Sequence, residues 1–178
     1  MRQSDQKLFS DANKLVAYIQ QIRSPTLVIA IDGWPGAGKT FLAETLARAL
    51  EIPTFDLDSY VLKNQGEYLE RIKFDELKES INNAGDQFIL SGVFILDVFA
   101  KIELKANLHI YVKQMSKTGF WNHEEYSESA DGEDPFQEID QIAGTSGSLA
   151  LERAVRDYHL ARHPHCDASI IFHRIEIR

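Results

Sequence analysis

The chain reads Gly33-Trp34-Pro35-Gly36-Ala37-Gly38-Lys39-Thr40 between an apolar run and a helical stretch. These eight residues match the pattern G-x-x-x-x-G-K-S/T, which is typical of phosphate-binding loops. Such a loop works between a buried strand and a helix N-terminus, because its glycines turn backbone N–H groups inward and the helix dipole attracts an anion. The apolar run is 26–31 and the helical stretch is 41–50, so the sequence predicts a nucleoside triphosphate site here.

The pattern also assigns roles to individual residues. Lys39 is expected to reach the outer phosphates, and Thr40 is expected to place its hydroxyl on Mg²⁺. Trp34 is unusually bulky for this loop, and three roles are open for it: covering an acceptor pocket, stacking on a base, or packing under the loop. The residues expected to bind the nucleotide are Gly33, Trp34, Pro35, Gly36, Ala37, Gly38, Lys39, Thr40 and Phe41.

Length and composition are those of an ordinary globular protein. A chain of 178 residues suits a single domain spanning 1–178. The net charge of −8 argues against nucleic acid as a partner. No apolar run approaches the roughly 18 residues that span a bilayer, and no signal-type segment opens the chain. For this reason we expect no membrane partner. Cys166 is the single cysteine, so we expect no internal disulfide and a cytoplasmic protein.

Negative charge is concentrated in one segment, within a lid-like excursion expected over 114–150. No Lys or Arg lies between positions 122 and 150. The same stretch contains two clusters of residues such as glycine and serine, which are typical of loops. We interpret the segment as a mobile surface excursion from an otherwise neutral domain. Its eight acidic residues are Glu124, Glu125, Glu128, Asp131, Glu133, Asp134, Glu138 and Asp140.

Strand-type and helix-type patterns alternate along the chain. The expected strands are 26–32, 52–56, 87–91, 107–112 and 168–172, and the expected helices besides the one after the loop are 5–22, 66–83 and 149–161. Short buried strands separated by helices predict an α/β fold with a parallel sheet that has helices on both faces. Ligands of such sheets bind at the carboxyl ends of the strands, which nominates Asp32, Asp56, Asp58, Ser91 and Lys113.

In the order of its motifs, the chain resembles the uridine kinase-like branch of P-loop kinases. Asp58-Ser59-Tyr60 is similar to the family's Asp-Ser-Phe-Tyr segment, and 74–77 is similar to its Phe-Asp-led helix. The segments 90–96, 158–159 and 164–171 resemble its strand-three motif and its approach to strand five. The resemblance implies a three-layer P-loop NTPase fold whose five parallel strands are ordered 2-3-1-4-5. It also implies ATP and Mg²⁺ as cofactors, with Asp58 as the base on an acceptor hydroxyl.

Two features depart from the family pattern. Ser91 stands where the family has a strand-three Glu, so one carboxylate near the metal or the acceptor is missing. The arginine-rich lid after strand four is replaced by 113–117 and the acidic excursion. A lid of that charge cannot itself bring cations to a transferring phosphoryl group.

The remaining candidates are carboxylates and arginines. Asp56 is a candidate to assist with Mg²⁺, and Asp32 is a candidate either to face Mg²⁺ through water or to bond the loop backbone. Asp58 is either the base or a helix cap, since Asp-Ser before a helix is also a capping signal. Arg153 and Arg156 are candidates for the missing catalytic cations, or they form surface pairs with Asp157 and Glu152.

These patterns predict an ATP-dependent phosphotransferase that acts on a hydroxyl of a small molecule, such as a nucleoside. Two alternatives stay open: a non-catalytic ATP sensor, favoured by Ser91 and the acidic segment, and a kinase of the same fold for sugar nucleotides or vitamins. A GTPase is disfavoured because the chain has no Asn-Lys-x-Asp signature. The sequence does not predict an oligomeric state.

Overall fold

The computed structural model describes residues 6–62, 67–128 and 147–175. Within them the framework is one sheet of six strands, in which every neighbouring pair is parallel. The strands are β1 (Lys7–Phe9), β2 (Leu27–Gly33), β3 (Thr54–Asp56), β4 (Gln87–Ser91), β5 (Leu108–Met115) and β6 (Ile170–Ile175). Their order across the sheet is β1-β6-β5-β2-β4-β3.

Helices connect the strands and cover the sheet. Every residue of β2 is buried, and because successive side chains of a strand point to opposite faces, both faces of the sheet are covered there. The helices are α1 (Ala12–Ile22), α2 (Lys39–Leu50), α3 (Phe74–Ala84), α4 (Ile95–Lys101), α5 (Glu124–Glu128), α6 (Gly147–Arg162) and α7 (Pro164–Asp167). Single turns of 3-10 helix occupy Leu57–Tyr60 and Tyr68–Arg71. No helix in the described ranges is long and apolar enough to cross a membrane.

The prediction of five strands ordered 2-3-1-4-5 is wrong in strand number and therefore in the order of the whole sheet. A sixth strand, β1, adds an edge beyond β6, with Lys7 opposite Ile170 and Phe9 opposite Phe172. The five predicted segments lie inside this larger sheet as β3-β4-β2-β5-β6.

The same region corrects the predicted opening helix, which was expected to begin near position 5. Helix α1 begins only at Ala12, because Asp11 caps it: the Asp11 carboxylate accepts bonds from the N–H groups of Asn13 at 2.8 Å and Lys14 at 3.2 Å. The three residues 7–9 before the cap are extended and pair with β6 instead of extending the helix. Leu15 and Ile19 are buried on α1, as the helical periodicity predicts.

The predicted excursion begins later than position 114. Strand β5 runs on to Met115, opposite Ile175, so 113–115 belong to the sheet. A tight turn follows, in which the Ser116 N–H donates to the Phe120 carbonyl at 2.8 Å, and Trp121 then pairs back with Met115. The acidic positions 129–146 lie outside the described residues, and the assignment of 1–178 to a single domain stays a prediction.

Candidate nucleotide and acceptor site

The loop between β2 and α2 has the backbone that the sequence pattern requires. Gly38 precedes α2 with φ of 94°, a left-handed conformation that residues with a Cβ rarely adopt. Gly33 lies so close to β5 that an added Cβ would come 2.7 Å from the Val112 carbonyl oxygen. Both glycines are therefore required by the path of the chain, and α2 presents its N-terminus to the loop.

The Lys39 side chain folds back over the loop. Its Nζ donates to the carbonyl oxygens of Gly33 at 3.0 Å and Trp34 at 2.7 Å. Burial lowers the pKa of Lys39 to about 8, although the negative charges of Asp32, Asp58 and Asp56 act to raise it. The side chain remains mainly protonated at neutral pH, and the third donor of its ammonium is left for a ligand.

A cleft of about 230 Å³ opens beside the loop. It contains the predicted metal pair, since Thr40 Oγ1 donates to Asp56 Oδ2 at 2.8 Å. Its lining residues are Pro35, Gly36, Gly38, Lys39, Thr40, Asp56, Asp58, Tyr68, Gly92, Val93 and Leu151. The predicted loop, the metal pair and the predicted base thus share one cavity. Of the other predicted loop residues, Ala37 is buried and Phe41 is exposed.

The donor set around Thr40 and Asp56 fits Mg²⁺ that is shared with a nucleotide. A hydroxyl and a carboxylate are hard oxygen ligands, and Mg²⁺ usually takes one or two carboxylates, substrate phosphates and water. In the described part of the chain, no group of three His, Cys, Asp or Glu side chains could hold a metal alone. The protein therefore offers part of a coordination shell, which phosphate oxygens would complete.

Asp58 is held in the cleft by a tyrosine that the sequence did not point to. The Tyr68 hydroxyl donates to Asp58 Oδ1, while the Tyr68 ring packs against Phe94 with centroids 5.3 Å apart. Burial and the neighbouring Asp58 charge raise the pKa of Tyr68, so its hydroxyl remains a donor. Asp56, whose Oδ1 accepts from the Asp58 N–H at 3.1 Å, caps the 3-10 turn. The capping role considered for Asp58 thus belongs to Asp56.

Asp32 supports the loop from below. It is fully buried, and its Oδ1 accepts from the Gly33 N–H at 2.7 Å while its Oδ2 accepts from the Tyr158 hydroxyl. Burial raises the pKa of Asp32 to about 6, against the opposing effect of the Tyr158 bond. Of the two roles predicted for Asp32, the structure contains the hydrogen bond to the loop backbone. Ser91 is also buried and does not line the cleft, although Gly92 and Val93 do.

Trp34 packs under the loop, which is one of its three predicted roles. It is only 3% exposed and donates its Nε1–H to Ser127 Oγ of α5 at 2.7 Å. Its ring stacks on His123, with centroids 4.8 Å apart and planes 6° apart, and on His159 of α6 at 5.1 Å. The first helix of the acidic segment is therefore anchored to the loop.

The predicted arginines do not lie in the cleft. Arg153 and Arg156 are half-buried on α6, but Leu151 is the residue of that helix that lines the cavity. Arg174, which the sequence analysis missed, lies against Gly38 instead. The rule that ligands bind at the carboxyl ends of strands would have nominated Arg174 if the last strand had been extended to Ile175.

Comparison with known proteins supports the fold. No protein-family model matches the chain, and no curated protein sequence matches it. Among solved structures, the chain is similar to a possible uridine kinase from Bacillus stearothermophilus, with a TM-score of 0.56 and 16% identity over 90% of this chain and 96% of that one. A shikimate kinase from Bacteroides thetaiotaomicron aligns over 83% of this chain and 85% of its own, with a TM-score of 0.39 and 18% identity. The first of these likenesses shows that the chain shares its overall fold with that protein.

Proposed function

We propose that this protein is an ATP-dependent phosphotransferase of the uridine kinase-like branch, which transfers the γ-phosphoryl group to a hydroxyl of a small molecule such as a nucleoside. The observation that carries the proposal is the single cleft that joins the loop, the Thr40–Asp56 pair and Asp58. Phosphoryl transfer needs little more than positioning, charge stabilisation and a carboxylate near the attacking hydroxyl.

Each group in the cleft has a part in this reaction. The loop N–H groups and the N-terminus of α2 hold the phosphate chain, and the free donor of Lys39 stabilises the charge on the transferring group. Tyr68 occupies Asp58 Oδ1, which leaves Oδ2 to accept the proton of the attacking hydroxyl. Thr40 and Asp56 would hold Mg²⁺, which when bound neutralises phosphate charge.

The acceptor side of the cleft is small and largely uncharged. Tyr68, Val93 and Leu151 give it an aromatic and apolar wall beside Asp58. An acceptor with a flat or apolar body and a free hydroxyl fits these walls, as a nucleoside does. Sugar nucleotides and vitamin-like alcohols remain alternative acceptors within the same chemistry.

A second candidate function is ATP sensing without transfer. It is favoured by the charge of the cleft, because Lys39 is the only cationic residue among its described lining. Phosphoryl transfer usually recruits a further cation in the transition state. A sensor would bind ATP tightly and leave it intact.

The test is ATP consumption with Mg²⁺ against separate pools of nucleosides, sugars and vitamin-like alcohols. We expect acceptor-dependent turnover in the nucleoside pool, and we expect its loss in Lys39→Ala, because the charge on the phosphates is then unbalanced. Turnover in another pool would reassign the acceptor class. Tight ATP binding without turnover in any pool would refute the kinase and favour the sensor.

A further inference from the structure

Arg174 lies against the loop at Gly38 and is not among the residues that line the cleft. It is an exposed residue near the end of β6, opposite Gln114 of β5. An added Cβ on Gly38 would come 1.9 Å from Arg174 Nη1 and 2.5 Å from its Cζ, so the guanidinium lies directly on the loop backbone. The same group lies 5.9 Å from the ring centroid of Phe41, which is 64% exposed.

Arg174 and the N-terminus of α2 both bring positive charge to the same place, which favours an anion there. The N-terminus of α2 carries positive partial charge, so a cation beside Gly38 is repelled by the helix dipole rather than attracted. Among the described residues, the side-chain ion pairs join Lys73 to Glu76 and Arg162 to Asp97, and neither involves Arg174. Two positive elements therefore converge on one accessible point of a phosphate-binding loop.

The geometry also indicates which phosphates Arg174 would meet. Lysines of such loops reach the β- and γ-phosphates, while the backbone N–H groups hold the α- and β-phosphates. Arg174 contacts the backbone at Gly38 and is not part of the cleft lining that includes Asp58. It therefore lies toward the α-phosphate rather than the transferred group, and the exposed Phe41 ring beside it offers a face for the base.

We propose that Arg174 binds the α- and β-phosphates of the nucleoside triphosphate held by the loop. The proposal rests on the proposed nucleotide binding and adds a residue to it. An arginine suits this role because its planar fork donates two parallel hydrogen bonds to phosphate oxygens. It is a binding and positioning residue on the donor side, and it is distinct from the cation that the transferring group would require.

Calorimetric titration of the full chain with ATP·Mg²⁺ and with inorganic tripolyphosphate tests the assignment. We expect Arg174→Gln to weaken both ligands by about 10- to 100-fold, the effect of losing a charged hydrogen-bonding partner. Arg174→Lys should lie in between, because it keeps the charge but loses the fork. Arg48→Gln is the matched control, since it removes the same charge from an exposed position at the far end of α2 and should bind both ligands like wild type.

The possible failures separate the two proposals. If the wild-type chain binds neither ligand, nucleotide binding and the role of Arg174 are both wrong. If wild type binds and Arg174→Gln binds equally well, only the role of Arg174 is wrong. Loss of ATP affinity with unchanged tripolyphosphate affinity would move Arg174 to the base or ribose and overturn the phosphate assignment. If Arg174→Gln fails to fold, Arg174→Lys with wild-type affinity for both ligands would also overturn it.

Discussion

The two sides of the loop between β2 and α2 differ in the groups that surround them. On the cleft side, Lys39, Thr40 and Asp58 are polar, reachable by solvent and joined by a few hydrogen bonds. On the packed side, Trp34 is buried among α5 and α6 and stacks on two histidine rings. The cleft side is thus built from groups that a ligand can contact. The packed side is built around the Trp34 ring, which is buried by other protein groups.

On the packed side, the His159 ring is neutral and is held by two hydrogen bonds. Burial lowers the pKa of His159 to about 3, so its ring is neutral at pH 7. Nδ1 lies 2.7 Å from the Val155 carbonyl oxygen and can only donate to it, so in the neutral ring Nε2 carries no hydrogen and accepts from the Tyr111 hydroxyl at 2.6 Å. The difference between the sides teaches that buried groups, the rings around Trp34 and the Asp32 carboxylate, position the loop from one side. The polar groups of the cleft side are therefore left available to a ligand.

The sharpest separation of the two sides is expected from Asp58→Asn. Loss of the base should lower turnover by about 10²- to 10⁴-fold, with ATP affinity unchanged, because the amide cannot accept the hydroxyl proton. Asp58 is exposed, so the free energy of unfolding should stay within about 0.5 kcal/mol of wild type. Steady-state kinetics and ATP titration measure this, with the exposed Asp75→Asn of α3 as control. Full turnover in Asp58→Asn would disprove the assignment of the base.

The packed side should respond in the opposite way. Trp34→Ala leaves a cavity among buried rings and is expected to cost about 3–5 kcal/mol of unfolding free energy, measured by urea denaturation. Trp34→Phe should cost less, because it keeps a ring for stacking but loses the bond to Ser127. Phe120→Ala, at a site 69% exposed, is the control and should change stability little. Wild-type stability in Trp34→Ala would mean that the packed side does not anchor the loop.

Acid should lower the stability of the fold through three buried histidines. Burial lowers the pKa of His109 and His165 to about 4 and of His159 to about 3, so between pH 4 and 6 the unfolded chain binds more protons than the folded one at these sites. Stability from them is complete above about pH 6.5 and is lost as the pH falls. Asp32 acts oppositely, because its raised pKa of about 6 makes the folded state bind the extra proton. Three histidines outweigh one carboxyl, so stability should rise with pH in this window.

The contribution of His159 can be measured from the slope of the unfolding free energy against pH. Each net proton contributes about 1.4 kcal/mol per pH unit, so His159→Gln should lower the slope between pH 4 and 6 by about that amount. Urea unfolding at closely spaced pH values gives the slope independently of any constant loss caused by the substitution. An unchanged slope in His159→Gln would show that His159 is not kept neutral by the fold.

The smallest effect is expected from Tyr68→Phe. This substitution removes the hydroxyl that holds Asp58 and keeps the ring that packs on Phe94. We expect turnover to fall by about 10-fold, the size of one hydrogen bond to a charged group. Tyr60→Phe, a nearby tyrosine outside the cleft lining, is the matched control for the kinetics. Equal turnover in wild type and Tyr68→Phe would mean that Asp58 needs no support from Tyr68.

The proximity of several cleft residues could be predicted from the sequence, whereas their roles in metal binding and catalysis stay predictions. Thr40 and Asp56 were expected at one metal site, and their side chains are 2.8 Å apart. Both predictions follow from local patterns: the loop motif fixes Thr40, and the end of a short strand fixes Asp56. The support of Asp58 by Tyr68 could not be predicted in the same way, because the two residues lie on different 3-10 turns, ten positions apart.

The packed side and the sheet edge were mostly out of reach of sequence patterns. The three residues of β1 are too few for a periodicity, and their partner strand begins at Ile170. Trp34 had three open roles because the choice among them depends on α5 and α6, far along the chain. The strand-end rule stopped at 172, and so it missed Arg174.

The sequence by itself determined the loop and its flanking strand and helix, because contiguous residues with fixed spacing set backbone conformation and local charge. It also indicated the class of ligand that we propose. Only the tertiary structure decided which residues support that loop: Trp34 from below, Tyr68 beside Asp58, and Arg174 against Gly38. The physical reason is the parallel sheet. Its pairings join segments that are distant in sequence, and side chains brought together across such distances leave no pattern in any one stretch of the chain.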